Sequence, residues 1–181
     1  FTNYMAKWNI DAALSASKWL AANYPSRWKE LSDRLGLTLR EQDEMRRVAQ
    51  AAYLPQPDPD TKVIEQFDGF SDLEDITESI RDLIDAGRSA DMALIQDMAR
   101  HRRILKQADV VMLAKLMPNL FGADVWTANY DYYSARTAHG SSLSPSAHAL
   151  VAAELGRGDQ AYQHFQRSLA LDLCDSMGNL G

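Results

Sequence analysis

Apolar residues recur every three to four positions along most of the chain, and no stretch keeps the two-residue rhythm of a strand for long. Met5, Trp8, Ala12, Trp19 and Leu20 form one helical stripe that Pro25 stops. Ser26 is placed to cap a short helix through Trp28, Leu31 and Leu35, ended by Gly36. Thr38 with Glu41 reads as a capping box opening a third helix through Met45, Val48 and Ala52. Pro55, Pro57 and Pro59 then forbid a helix and predict an extended connector. The stretch 63–70 is the one candidate for a strand or ordered turn, closed by Gly69. Ser71 and Glu74 suggest a second capping box before Leu73, Ile76, Ile80 and Leu83. Gly87 ends that helix, and Met92, Ile95 and Met98 begin another. Residues 106–117 are apolar on most sides and predict a buried helix ending before Pro118, followed by an aromatic-rich helix over 123–133. After a polar loop at 137–144, Ser144 as N-cap and Pro145 at the first helical position open a helix over 146–155 that Gly156 ends. Asp159 caps the last helix, which carries Tyr162, Phe165, Leu169 and Leu173. The prediction is an all-α architecture of about eight helices stacked as hairpins.

The chain has 181 residues, a length that fits one domain or part of a larger one. It carries 19 basic and 25 acidic residues, for a net charge of −6, and such a surface repels a phosphate backbone, so no nucleic-acid partner is expected. A single cysteine, Cys174, cannot form an internal disulfide, which fits a reducing cytoplasm. No apolar run approaches the ~18 residues of a membrane span, and no basic-then-apolar leader is evident. The chain opens at Phe1-Thr2-Asn3-Tyr4 and closes at Met177-Gly178-Asn179-Leu180-Gly181. It therefore reads as a piece of a longer polypeptide, truncated at both ends.

Two stretches carry candidate chemistry. In His139-Gly140-Ser141-Ser142-Leu143-Ser144-Pro145, hydroxyls and an imidazole precede a helix start, where unpaired N–H groups and the dipole favour an anion such as phosphate. The plainer alternative is an ordinary serine-rich capping loop. Lys106-Gln107-Ala108-Asp109 places a cation, an amide and a carboxylate at the head of an apolar helix, where they must find partners or open onto a cavity. Lysine and glutamine suit sugar hydroxyls, although a polar, water-facing helix start would look the same. Arg100-His101-Arg102-Arg103 reads as a solvated helix end. His148 and His164 lack ligand partners at metal spacing, so no metal is expected. Cys174 reads as a core residue, and Trp8, Trp19, Trp28 and Trp126 as packing. The chain holds no Gly-rich phosphate fingerprint, Ser-His-Asp motif or cysteine cluster. The final pair, with Ala153, Gly156, Ala161 and Tyr162, faintly resembles one tetratricopeptide unit, and a helical interaction module is the alternative of a different class.

Five blocks together resemble glycoside hydrolase family 65, which contains maltose, trehalose and kojibiose phosphorylases and some hydrolases. They are Thr2-Asn3-Tyr4-Met5-Ala6-Lys7-Trp8-Asn9, Ile64-Glu65-Gln66-Phe67-Asp68-Gly69-Phe70, Lys106-Gln107-Ala108-Asp109-Val110, Asn129-Tyr130-Asp131-Tyr132-Tyr133, and the run from Arg136-Thr137-Ala138 into the His139 loop. The resemblance implies that residues 1–181 are roughly the second half of an (α/α)6-barrel catalytic domain. It implies that Lys106 and Gln107 bind the sugar at the cleaved position, and that His139, Ser141 and Ser142 bind phosphate. The general acid is then a glutamate upstream of Phe1, so no catalytic residue is expected within this chain. Inorganic phosphate is the co-substrate, with no other cofactor, and a homodimer is expected.

An inverting phosphorylase protonates the glycosidic oxygen while phosphate attacks the anomeric carbon from the opposite face; a hydrolase needs a carboxylate base to hold water instead. Between Ser134 and Ala153 there is no Asp or Glu, which favours phosphate as nucleophile. Asp131 keeps a family trehalose or maltose hydrolase as the alternative.

Overall fold

The computed structural model describes residues 1–76, 99–139 and 143–173, with the side chains of 171 and 172 excepted. The chain divides into two compact units, Phe1–Leu54 and Pro55–Gly181.

The first unit is three helices: α1 (Thr2–Asn23), α2 (Pro25–Leu35) and α3 (Leu39–Ala51). Pro25 begins α2 as well as ending the preceding stripe. The cap position is Tyr24, with Pro25 at the first turn, so Ser26 is inside the helix and is not its cap. Gly36 ends α2 at φ 65°, a left-handed conformation that glycine adopts without a Cβ penalty. The Thr38 hydroxyl accepts from the Glu41 backbone N–H at 3.1 Å and caps α3, the N-cap half of the predicted box. Only Tyr4 and Ala49 of this unit are buried apolar residues, and Trp8 and Trp19 are each more than half exposed.

The second unit holds the main core. Its described helices are α4 (Asp109–Leu116), α5 (Ala123–Ser134), α6 (Leu143–Glu154) and α7 (Gly158–Leu173). Val110, Val111, Leu113 and Ala114 of α4 are buried, as are Trp126, Tyr130 and Tyr133 of α5 and Ala147, Val151 and Ala152 of α6. Each large apolar side chain so enclosed contributes about 1.5–3 kcal/mol of transfer free energy. Helix α4 is shorter than the apolar pattern predicts, because Lys106, Gln107 and Ala108 lie ahead of it in a non-helical segment. Helix α6 starts at Leu143, so Ser144 and Pro145 are buried within its first turn. Gly156, at φ 72°, makes the tight turn into α7, and α6 and α7 form an antiparallel hairpin.

The connector at 55–76 is an ordered turn without a continuous strand. Pro57 and Ile64 form an isolated antiparallel bridge, and Asp58 N–H donates to the Val63 carbonyl at 2.9 Å. Asn129 of α5 holds the far side: its Oδ1 accepts from Ile64 N–H, and its Nδ2 donates to the Lys62 and Val125 carbonyls, all at 2.8 Å. The Tyr133 hydroxyl donates to the Ile64 carbonyl. The second capping box does not form. Ser71 instead donates through its N–H and hydroxyl to the Glu65 carboxylate, and Glu74 pairs with Arg102 in a parallel bridge. A short 3-10 turn, Phe70–Asp72, stands there, entered through Gly69 at φ 83°. The sequence-predicted elements over 77–98, with Ile80, Leu83, Gly87, Met92, Ile95 and Met98, lie outside the described residues, as does Cys174.

Candidate functional site

The site is built where two loops run side by side. Leu105 and Thr137 form a parallel bridge, closed by Leu105 N–H to the Arg136 carbonyl and Ala138 N–H to the Leu105 carbonyl, both at 2.8 Å. Thr137 is fully buried, and its hydroxyl donates to the Tyr133 carbonyl at 2.7 Å, which ties the second loop to the end of α5. Lys106 and Gln107 follow Leu105 directly, and His139 follows two residues after Thr137. The bridge therefore brings together the two stretches that the sequence singled out.

Lys106 is half-buried and Gln107 exposed, and no hydrogen bond or ion pair engages either side chain among the described residues. Behind them, Asp109 opens α4 and accepts from Gln66 Nε2 at 2.9 Å, so the carboxylate of this block supports the turn at 64–70.

His139 is 3% exposed and sits at φ 49°, in the left-handed region that costs a residue with a Cβ about 1–3 kcal/mol. Its Nδ1 lies 2.9 Å from the Ser144 hydroxyl in the first turn of α6. One turn later, His148 Nδ1 lies 2.9 Å from the Ser144 carbonyl oxygen. The His139 and His148 rings meet edge to face at 4.6 Å, and His164 of α7 approaches them at 5.0 and 5.2 Å. Burial pushes His139 down to about 2, with the neighbouring His148, His164 and Arg167 adding in the same direction. Burial likewise pushes His148 down to about 4, and lowers His164. All three imidazoles are thus neutral near pH 7. No group of three or more His, Cys, Asp or Glu among the described residues is arranged to hold a metal ion.

The three-histidine cluster escapes a residue-by-residue reading of the sequence. Its signal is symmetry: His148 stands eight residues before Gly156 and His164 eight after it. An antiparallel hairpin turning at Gly156 sets such positions opposite one another. Ser141 and Ser142 lie outside the described residues.

Other sequence candidates take structural roles. Asp131 is held by both terminal guanidinium nitrogens of Arg157, which lowers its carboxyl below the usual range. Arg102 and Arg103 bond to the segment at 71–75. Arg103 Nε donates to the Leu73 carbonyl at 2.8 Å, and Arg102 Nε to Glu74 at 3.1 Å, so both arginines clamp the segment at 71–75. A cleft of about 480 Å³ in the same unit is lined by Asp58, Glu65, Phe70, Arg103 and Tyr132 among others. None of Lys106, Gln107 or His139 lines it, and its Glu65 and Arg103 are engaged by Ser71 and by main-chain carbonyls. No described helix is long and apolar enough to cross a membrane.

Comparison with known proteins agrees along nearly the whole chain. Residues 1–180 match the profile of the glycosyl hydrolase family 65 central catalytic domain. The chain is 38% identical over 184 residues to a kojibiose phosphorylase of Caldanaerobacter subterraneus subsp. tengcongensis, covering 99% of this chain and 23% of that protein. It is 34% identical to a 1,2-alpha-glucosylglycerol phosphorylase of Bacillus selenitireducens, with 97% and 23% covered. With an alpha,alpha-trehalose phosphorylase of Thermoanaerobacter brockii the identity is 32%, with 99% and 23% covered. A solved structure assigned as a kojibiose phosphorylase from the human microbiome superposes with a TM-score of 0.76 at 29% identity, covering 98% of this chain and 24% of that one. The chain thus spans about a quarter of the length of these relatives, and its helices are those of an all-α portion of the family's (α/α)6 barrel. By the match over residues 1–180, the chain belongs to glycosyl hydrolase family 65, within its central catalytic domain.

Proposed function

We propose that the whole protein is an inverting disaccharide phosphorylase, which cleaves an α-glucosidic disaccharide of the kojibiose, trehalose or maltose type with inorganic phosphate to give β-glucose 1-phosphate. In this reading Lys106 and Gln107 hold the glucose at the cleaved bond, and His139, Ser141 and Ser142 hold phosphate on the opposite face of the anomeric carbon. The observation that supports it is the Leu105–Thr137 bridge, which brings the segment that leads into Lys106 and Gln107 alongside the segment that leads into His139. The proton donor to the leaving oxygen comes from the part of the polypeptide beyond these 181 residues. Phosphate enters as the only co-substrate, and the protein works in the cytoplasm as a homodimer.

The step is a single displacement. A carboxylic acid protonates the glycosidic oxygen, and a phosphate oxygen forms the new bond to the anomeric carbon as the old bond breaks. A hydrolase would need a carboxylate base in phosphate's place. The candidate for that base, Asp131, is committed to Arg157, and residues 135–152 contain no other Asp or Glu.

The test is phosphate-dependent release of β-glucose 1-phosphate by the whole polypeptide and its His139→Ala variant. The expected result is a phosphate KM raised about 10–100-fold, because one hydrogen bond to a charged group contributes about 1.5–3 kcal/mol, with the disaccharide KM nearly unchanged. An unchanged phosphate KM would return the His139 loop to the role of a helix cap.

A further inference from the structure

Ser144 is the hub of the histidine cluster, and its two oxygens act on different rings. The carbonyl oxygen can only accept, so His148 Nδ1 carries a proton and donates to it at 2.9 Å. This fixes the His148 tautomer and leaves the lone pair on Nε2, an atom that is buried with no hydrogen-bond partner among the described residues. The hydroxyl of Ser144 presents a choice, since it could accept from His139 Nδ1 or donate to it. Ser144 is 1% exposed, and His139 Nδ1 is the partner of its hydroxyl among the described residues. If the hydroxyl accepted, its own hydrogen would be buried without an acceptor among the described residues, a costly arrangement. If it donates, both groups are satisfied, Nδ1 is an acceptor, and the proton of the neutral ring sits on Nε2.

The geometry points to Ser144 as a positioning residue that holds His139 in the Nε2–H form, so that the ring meets an anion as an uncharged hydrogen-bond donor. The inference rests on the phosphate role of His139 proposed above and adds the chemical form in which the ring acts. His148 anchors the arrangement, its ring pinned to the Ser144 carbonyl and packed edge to face at 4.6 Å against His139. The groups that face His139 electrostatically are His148 on α6 and His164 and Arg167 on α7, and each disfavours a positive charge on it. Burial acts the same way. Charge and burial thus both disfavour a cation at the ring expected to touch phosphate. A neutral donor keeps the same strength across the pH range in which an ordinary histidine would lose its charge. Because Nδ1 is committed to Ser144, the ring meets a ligand through Nε2.

Sulfate is the probe, because it keeps its charge where phosphate itself titrates. Its competitive inhibition of the whole enzyme against phosphate is measured between about pH 5.5 and about pH 8. The inference predicts an inhibition constant that stays flat within about twofold. A constant that rises about tenfold per pH unit above about 6.5 would mean an imidazolium holds the anion, and would overturn it. The second arm is Ser144→Ala, expected to raise the phosphate KM about tenfold through the misdirected His139 while leaving the disaccharide KM within about twofold. Ser144→Thr, which keeps the hydroxyl, should recover most of that loss. An unchanged phosphate KM in Ser144→Ala, or an equal rise in both KM values, contradicts a positioning role. The two proposals fail differently. If His139→Ala leaves the phosphate KM unchanged, the phosphate reading falls and this inference falls with it. If His139→Ala raises it but the sulfate profile titrates, the inference alone falls. The sulfate profile uses the unmodified protein, so it decides even where a Ser144 variant does not fold.

Discussion

The two units of this chain differ in how much aromatic surface they enclose. In residues 1–54, Trp8, Trp19, Tyr24 and Tyr53 are each more than half exposed, and the three helices enclose only Tyr4 and Ala49 as buried apolar residues. In residues 55–181, Trp126, Tyr130 and Tyr133 are buried, and Trp126 also donates from Nε1 to the Pro118 carbonyl at 3.0 Å. Tyr133 and Asn129 extend that core by gripping the turn at 62–64. One unit has amphipathic helices whose apolar faces look outward; the other has a core dense enough to hold buried polar groups, including a strained histidine. The lesson is about where a site can be built. A neutral, oriented imidazole needs neighbours on several sides, and only the second unit supplies them. Outward apolar faces, which include Tyr162, Phe165, Leu169 and Leu173 along α7, are what a quarter of a larger protein is expected to present.

The largest effect that would break this contrast is a matched pair of truncations. Trp126→Ala should cost about 3–5 kcal/mol, since it removes a buried ring together with its hydrogen bond to the Pro118 carbonyl. Trp8→Ala should change the stability of the 181-residue chain by about 0.5 kcal/mol or less. Equilibrium urea unfolding of both variants measures this, and equal losses would mean that the exposed ring is packed in solution.

A smaller effect sharpens the same contrast through acid. His139 and His148 are neutral in the folded unit, while the unfolded chain takes up these protons near its ordinary histidine value of about 6.5. Between there and about 4, the value to which His148 is pushed, the unfolded state binds more protons. Stability of the second unit therefore falls as pH falls, by about 1.4 kcal/mol per pH unit for each ring while both remain neutral. Residues 1–54 contain no histidine, and their depressed carboxylate, Glu44, begins to respond only toward the acid end of that window. Amide exchange at pH 6.5 and pH 4.5, compared between α1 and α6, reads the difference. A uniform loss of protection in both helices would contradict it.

Much of the fold was legible because helix punctuation acts locally. Thr38 with Glu41, Gly36, Pro118 and Gly156 each mark a boundary that the backbone obeys, through a capping hydrogen bond, a left-handed turn or a missing N–H. The misreadings occur where a distant partner outbids the local signal. Ser71 matches the capping-box spacing with Glu74, yet Glu65 captures it from six residues upstream, and Arg102 takes Glu74 into a bridge. Lys106 to Ala108 fit the apolar helix pattern, but Leu105 is committed to the bridge and the chain bends through 106 and 107 before α4 begins. For the site, Lys106, Gln107 and His139 were recognisable as residue types suited to a sugar or an anion. What the linear pattern could not supply was their adjacency, or the packing of His148 and His164 around His139, since both depend on how α5, α6 and α7 fold against the loops. Ser144 was legible as a helix-start residue, but its actual work is done by an oxygen facing backwards along the chain to His139.

The central claim is that the Leu105–Thr137 bridge joins a sugar-binding pair to a phosphate-binding loop in one reaction centre. The most direct measurement is a crystal structure of the whole polypeptide with phosphate and glucose bound. The account predicts a phosphate oxygen within ~3.2 Å of His139 Nε2 and glucose hydroxyls within the same reach of Lys106 and Gln107. Phosphate bound with no contact to His139, or glucose bound away from Lys106 and Gln107, would contradict it.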